Sequence, residues 1–200
     1  EGEILSRFTW KGNEFNVRTV CHPAQDMISA HIDSHLHTGI KFHFPYPTGI
    51  HTDNACDWDA NDKHSTEVLK QDTQSAVLKR TLDSTVYYVE LKWEGKALLK
   101  EKEKNYFVLL PQEDAFSFSC AFTANEPDQL TVLPDFFEVE SLAKNHWVNF
   151  WEEGAAVDFS HCTDPRAKEL ERRVVLSQYL LAIQCAGSTP PQETGLTYNS

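Results

Sequence analysis

Ten short segments rich in β-branched and aromatic residues follow one another between residues 3 and 122, with no helical period between them. Turn-forming residues separate them, and Gly95 can supply the positive φ that a tight hairpin turn at residues 93–96 requires. Antiparallel strands without intervening helices form a sandwich or barrel rather than a parallel α/β sheet. We therefore predict a mainly β fold, a large antiparallel two-sheet super-sandwich. The predicted strands cover residues 4–10, 14–21, 27–32, 41–44, 66–71, 76–82, 85–93, 97–102, 106–110 and 115–122.

The last predicted strand shows a period of two residues most clearly. Its large side chains share one face and its small side chains share the other, which is typical of a strand in a packed sheet. The large set is Phe116, Phe118, Cys120 and Phe122, and the small set is Ser117, Ser119 and Ala121.

Residues 125–163 differ in sequence pattern from the preceding strands, and we predict that they form a structured connector. A turn cluster at residues 125–128 is followed by a predicted helix over residues 141–151, which Gly154 ends. A short strand is predicted over residues 155–159. The apolar stripe of the predicted helix consists of Leu142, Trp147, Phe150 and Trp151.

A long helix is predicted from Asp164 to Ala186. Asp164 before Pro165 is a good helix start, and Gly187 supplies a stop. Six side chains between residues 166 and 173 are charged, whereas ten of the thirteen residues 174–186 are apolar and none is charged. A helix that is apolar on every side has to be buried on every side.

The burial of this helix decides the predicted domain organisation. A partner outside residues 1–200 could cover it, which makes the chain a piece of a larger protein that stops after the first helix of a second, helical domain. The alternative is a terminal helix that lies in a groove of its own domain. On the first reading, residues 1–124 form the super-sandwich, residues 125–163 the connector, and residues 164–200 the first helix and entry loop of a second, truncated helical domain.

Charge and composition exclude several classes of function. The net charge is −12 and the pI is about 5.1, which argues against a nucleic acid or an anionic membrane as partner. No apolar run approaches the roughly 20 residues that span a bilayer. A neutral, hydroxyl-rich ligand is indifferent to this charge. Five scattered cysteines, with no CxxC pair, favour buried thiols over a disulfide framework or a zinc site.

The long polar loop at residues 45–65 is the best candidate for a functional surface, because ordered loops of this length are commonly functional. Trp58 stands between Asp57 and Asp59, a pairing suited to a sugar: the indole stacks on the C–H face of a pyranose and the carboxylates accept from its hydroxyls. The alternative is a loop packed by its own Trp58. The same acids invite a calcium site, but an EF-hand is rejected since Asp62 and Val68 replace its glycine and glutamate.

Other chemistry finds little support in the sequence. His31, His35 and His37 are close together but match no zinc signature, and adjacent strand residues Cys21 and His22 point to opposite faces. Glycoside hydrolysis needs paired carboxyl groups, yet the acid pairs at residues 57/59 and 152/153 are typical of solvated loops and helix ends. We predict no catalytic residue, metal or cofactor within this chain.

Seven short runs carry a family resemblance. They are HWVNFW (146–151), AVDF (156–159), ELERR (169–173), QY (178–179), QCAG (184–187), PQETGLTYNS (191–200) and FPYPTG (44–49). The C-terminal third resembles the junction region of six-hairpin glycosidases, in which a β-super-sandwich of the galactose-mutarotase type precedes an (α/α)6 catalytic barrel. It is most similar to the clan of maltose and trehalose phosphorylases and of the glucosidase that trims collagen glucosyl-galactosyl-hydroxylysine.

The resemblance implies a non-catalytic N-terminal domain of a glycoside hydrolase or phosphorylase, with its catalytic carboxylates outside this chain. Its partners would be an oligosaccharide or glycoconjugate and the downstream (α/α)6 domain. Tyr198 and Asn199 would lie near the pocket mouth, and loop 45–65 could close over it. A bacterial homologue that degrades polysaccharides would act in the periplasm or outside the cell. The alternatives are a free-standing carbohydrate-binding or adhesion module and a mutarotase-like sugar epimerase.

Overall fold

The computed structural model describes residues 2–50, 55–128, 133–154, 156–188 and 190, and these confirm the predicted mainly β fold with antiparallel sheets. Each of the ten strands predicted between residues 3 and 122 is present, with ends that differ by at most two residues. The strands are β1 (Glu3–Trp10), β2 (Asn13–Cys21), β3 (Met27–Asp33), β4 (Ile40–His43), β5 (Tyr46–Pro47), β6 (Cys56–Asp57), β7 (His64–Gln71), β8 (Ser75–Leu82), β9 (Thr85–Glu94), β10 (Ala97–Glu103), β11 (Tyr106–Pro111) and β12 (Ala115–Thr123). The helices are α1 (Phe136–Glu153) and α2 (Ala167–Gln184).

The strands form one large sheet and two small ones. The seven-stranded sheet has the order β1-β2-β3-β12-β9-β8-β7, and the three-stranded sheet has the order β10-β11-β4. Within the described residues, β5 and β6 pair with each other and with no other strand. The final strand, β12, returns to lie between β3 and β9, so it joins the two halves of the large sheet.

The main core lies between the seven-stranded and three-stranded sheets. Leu78, Val89 and Leu91 from the large sheet pack with Phe107 and Leu109 from the small sheet, and all five are at most 2% exposed. Gly95 has the predicted positive φ, +84°, in the turn between β9 and β10. This hairpin carries the chain from the large sheet to the small one.

A second, smaller core lies on the opposite face of the large sheet, where α1 packs. Phe136 and Val139 of α1, both 0% exposed, contact Val20, Met27 and Ala121 of the sheet. This helix explains the small face of β12, because side chains no larger than serine or alanine leave room for it. The face with the large residues lies against the main core, except at Phe122, which is 44% exposed.

The predicted helix over residues 141–151 begins too late. α1 starts at Phe136, and its cap is Asp135, whose Oδ1 accepts from the Glu138 amide at 2.8 Å. The buried stripe is therefore Phe136, Val139 and Ala143, whereas the predicted stripe residue Leu142 is 38% exposed. The spacing of i, i+3 and i+7 is the ordinary one for a helix on a sheet.

The chain divides into two compact units at residues 147 and 148, within α1. In the second unit α2 begins three residues later than predicted, because Asp164 Oδ1 accepts from the Arg166 amide at 2.8 Å and closes a turn ahead of the helix. α2 ends at Gln184, before Gly187. The predicted strand over 155–159 is wrong at residues 156–159: the Phe159 amide donates to the Glu171 carboxylate at 2.6 Å instead of to a neighbouring strand.

The prediction of buried thiols is correct only for Cys120, which is 4% exposed and whose pKa burial raises to about 12. Cys21, Cys56, Cys162 and Cys185 are exposed, and all five thiols are free. The exposed cysteines lie at a strand end, in a loop, in a turn and after a helix, where sequence position gave no sign of exposure.

Candidate functional site

The loop at residues 45–65 is folded by a short ladder of its own. β5 pairs with β6 in antiparallel register, and the Thr48 amide donates to the Ala55 carbonyl at 3.1 Å. Trp58 directly follows β6, so the ladder fixes where the indole leaves the loop.

Trp58 lies against the outer face of the three-stranded sheet. Its ring centroid is 4.7 Å from that of His43, and the His43 ring is 5.0 Å from that of Tyr106. His43 and Tyr106 are direct partners across β4 and β11, while their neighbours Phe42 and Phe107 turn to the core. We call the three rings of Trp58, His43 and Tyr106 the Trp58 surface. Because Trp58 is 50% exposed, much of its indole remains open to a ligand.

The two acids that flank Trp58 have different roles. Asp57 Oδ1 accepts from the amides of Asp59 and Ala60 at 2.9 and 3.2 Å, an arrangement that shapes the turn. Asp59 is exposed, so its carboxylate is available to hydrogen-bond donors. Of the predicted pair, Asp57 therefore positions the loop and Asp59 is the better candidate for ligand contact.

A buried polar cluster lies beneath the loop. Arg80, 1% exposed, donates to Thr66 Oγ1 at 2.6 Å and to Asn105 Oδ1 at 3.2 Å, and its Nη2 lies 2.9 Å from His64 Nδ1. The guanidinium also lies 4.7 Å from the centre of the Phe44 ring, a cation–π contact. Burial, followed by the Arg80 charge, lowers the pKa of His64, so His64 accepts as a neutral imidazole.

Tyr46 connects the loop to this cluster. The Tyr46 ring centroid lies 5.8 Å from that of His64. Lys63 Nζ lies 5.2 Å from the centroid of the Tyr46 ring, a cation–π contact. The Tyr46 hydroxyl donates to Asp83 at 3.1 Å, which raises the pKa of Tyr46. The base of the loop is thus held by contacts on several sides, while Trp58 at its surface is held by ring packing.

The remaining sequence candidates fall in different places. Tyr198 and Asn199 lie outside the described residues. His35 and His37 converge on Asp114, at 2.7 and 2.8 Å, which their spacing in the sequence did not predict. His31 instead lies 2.8 Å from Ser117 Oγ. Over residues 2–50, 55–128, 133–154, 156–188 and 190, no group of three or more His, Cys, Asp or Glu side chains is placed to hold a metal ion.

Sequence reasoning missed His43 and Tyr106 as partners of Trp58. A polar histidine next to inward-facing Phe42 marks the outer face of β4, and Tyr106 holds the same position next to Phe107. Their pairing depends on the register between β4 and β11, which lie more than 60 residues apart in the chain. Without that register the sequence cannot place the two rings together.

No protein family model and no curated protein matches this chain. None of the described helices has the length and apolarity needed to cross a membrane.

The Trp58 surface combines three aromatic rings with the neighbouring exposed carboxylate of Asp59. Aromatic faces bind the C–H faces of a pyranose, and an exposed carboxylate such as Asp59 accepts from its hydroxyls. The cluster around Arg80 is fully engaged with neutral acceptors, so it stabilises the loop rather than reaching a ligand.

Proposed function

We propose that this chain is the non-catalytic β-sandwich part of a glycoside hydrolase that acts on oligosaccharides or glycoconjugates. It supports the active site of an (α/α)6 domain of the same polypeptide, and loop 45–65 caps that site. The observation that carries the proposal is the exposure of apolar side chains on α2: Leu176 is 43% exposed, Leu181 56% and Ile183 38%.

The exposed side chains of α2 have a large free energy to gain from a covering partner. Burying one leucine or isoleucine side chain contributes about 1.5–3 kcal/mol. The first half of α2 exposes one large apolar side chain, Leu170 at 53%, beside the ion pairs of Glu169 with Arg172 and Arg173 at 2.9 and 2.8 Å. Three of the four exposed large apolar side chains thus lie in the second half, which fits a helix whose C-terminal part enters a helical barrel.

The Trp58 surface supports a sugar as the ligand. A net charge of −12 disfavours an anionic ligand and leaves a neutral oligosaccharide unaffected. In the proposed enzyme the bond cleavage belongs to carboxylates of the (α/α)6 domain. The role of this chain is to orient the sugar by stacking on Trp58 and to exclude water when the loop closes.

The test is the activity of the full-length polypeptide on a panel of glucosides and disaccharides, with and without inorganic phosphate. We expect Trp58→Ala to raise KM about tenfold, which corresponds to about 1.4 kcal/mol of binding free energy, with kcat little changed. The control is Leu98→Ala. It removes a side chain that is 42% exposed from β10 of the three-stranded sheet, against which Trp58 lies. An unchanged KM for Trp58→Ala would remove the capping role, and inactivity on every glycoside would remove the proposed enzyme.

The second candidate function is a free-standing carbohydrate-binding module. Its support is that Trp58, His43 and Tyr106 all belong to one compact unit, so the surface is complete without a further domain. Titration of the 200-residue chain with oligosaccharides separates the two functions. Binding that equals that of the full-length polypeptide favours the module, whereas much weaker binding favours the enzyme domain.

A further inference from the structure

A cavity of about 150 Å³ lies at the edge of the seven-stranded sheet, built from residues that the Trp58 surface does not use. β1 is the edge strand, and its side chains Phe8 and Trp10 line one side of the cavity together with Phe15 of β2. Ile32 and Phe116 from the two strands further in line the cavity as well. We call it the edge cavity.

The aromatic side of the edge cavity has an open face. The Phe8 and Phe15 rings are parallel, 5.1 Å apart with an interplanar angle of 1°, so Phe15 covers one face of Phe8. Phe15 is 4% exposed while Phe8 is 50% exposed. The outer part of the Phe8 ring is therefore backed by a rigid neighbour and accessible to a ligand.

Polar residues also line the edge cavity and are held in place. Asp114 lines it with His37 and Ser34, and the Asp114 carboxylate accepts from His35 and His37 at 2.7 and 2.8 Å. The Ser34 amide donates to the Asp114 carbonyl at 2.9 Å, which fastens the turn after β3 to Asp114. A carboxylate has about four acceptor positions, so Asp114 keeps roughly two for a ligand.

We propose that the edge cavity binds one six-membered ring of a neutral saccharide. The cavity has about 150 Å³, and an apolar cavity of that volume accepts the six-membered ring of benzene. The C–H face of the sugar stacks on Phe8, and its hydroxyls donate to Asp114. The choice of a saccharide as ligand rests on the proposed function, whereas the cavity and its mixed aromatic and polar lining do not.

Two other ligand classes fit the edge cavity less well. A hydrocarbon would fill the aromatic side but leave the Asp114 carboxylate without the donors that replace its water. An organic cation would be attracted by the aromatic rings and by the carboxylates of Glu113 and Asp114, but Lys11 Nζ already lies 4.4 Å from the centre of the Trp10 ring. That ammonium places a positive charge beside the aromatic side and repels a second one.

The test is titration of the ¹⁵N-labelled 200-residue chain with glucose, maltose and trehalose, followed through its amide NMR signals. We expect saturable shifts at Phe8, Thr38 and Asp114 with a dissociation constant of the order of 1 mM, and about a three- to tenfold weaker constant in Phe8→Ala, since aromatic stacking contributes about 0.5–1.5 kcal/mol. Phe8→Trp, which keeps an aromatic face, should retain binding.

Ile4→Ala is the matched control, because Ile4 is exposed on the same face of β1 and does not line the cavity. It should bind at the edge cavity as the unaltered chain does. The proposal is overturned if no shift appears at the cavity at about 0.1 M saccharide, some 100-fold above the expected constant, or if Ile4→Ala and Phe8→Ala weaken binding equally. Shifts with tetramethylammonium but with no sugar would overturn the ligand class, and none of these results depends on whether a catalytic domain follows.

Discussion

Arg80 is a buried cation whose partners are all neutral. Within the described part of the chain its hydrogen bonds go to Ser65, Thr66, Asn105, Tyr87 and His64, and no carboxylate lies at ion-pair distance. A buried charge is costly unless its donors are satisfied, and here the cation–π contacts with the Phe44 and Tyr87 rings add to the hydrogen bonds. The cluster therefore depends on a neutral His64.

Acid should weaken the fold through His64. Its pKa is lowered in the folded chain, chiefly by burial and then by Arg80, from an ordinary value of 6.5. Below pH 6.5 the unfolded chain binds the proton more readily, so stability is fully present above that pH and decreases as the pH falls. We expect the urea unfolding free energy to decrease between about pH 7.5 and about pH 5.

His64→Gln is the control for this pH dependence, since an amide oxygen can still accept from Arg80 but cannot titrate. Its unfolding free energy should fall less over the same range. An identical decrease in both chains would show that other groups cause it.

At the scale of single residues, the sequence could predict that Trp58 and its flanking acids lie on the surface of a loop. An indole between two carboxylates in a long polar segment can be recognised from the sequence alone. It could not predict that Asp57 closes a turn while Asp59 stays exposed. Nor could it predict Arg80 in the core, because an arginine in a strand normally faces solvent. The position of Arg80 depends on neighbours that are distant in sequence, such as Thr66 and Asn105.

At the scale of elements, α1 and β12 fit each other. The large sheet offers a face of small side chains at Ser117, Ser119 and Ala121, and Phe136 and Val139 pack on that part of the sheet. Ser119 Oγ also donates to the Pro134 carbonyl at 3.0 Å, which ties the residues before α1 to β12. The helix is thus held by apolar packing and by a polar contact at its start.

The adjacent pair Phe136 and Phe137 tests this packing. Phe136 is 0% exposed and Phe137 is 52% exposed, in the same turn of the helix. We expect Phe136→Ala to lower the unfolding free energy by about 3–5 kcal/mol, as for a phenylalanine removed from a core. Phe137→Ala should cost under about 1 kcal/mol.

Urea denaturation of the two variants gives both numbers. Equal losses would place the helix in a different rotation on the sheet.

Strands were the most predictable elements, because β-branched and aromatic residues fill each strand and turn-forming residues mark its ends. The start of α1 was less predictable: Asp135 and Glu138 have the spacing of a capping pair, but they follow a proline-containing segment that reads as a turn. The strand predicted at 155–159 is absent at residues 156–159, because a strand needs a hydrogen-bonded neighbouring strand. The Phe159 amide donates instead to the side chain of Glu171.

At the scale of the whole molecule, apolar surface is distributed unevenly. The main core is sealed between two sheets, whereas apolar side chains on β1 and on α2 remain open, with Ile4 67% and Leu181 56% exposed. Large contiguous apolar surfaces mark contact sites. Sheet order could not be predicted, because the return of β12 between β3 and β9 is a long-range pairing with no local signal.

The central claim is that a further domain of the same polypeptide covers the apolar half of α2. The most direct measurement is the change in unfolding free energy caused by Leu181→Lys in the 200-residue chain and in the full-length polypeptide, with Val86→Lys, at an exposed strand position, as control. We predict that the unfolding free energy of the full-length polypeptide falls by about 2–5 kcal/mol or more, as for a leucine removed from a core. The loss in the 200-residue chain should stay within about 0.5 kcal/mol. The same small loss in both would contradict the claim.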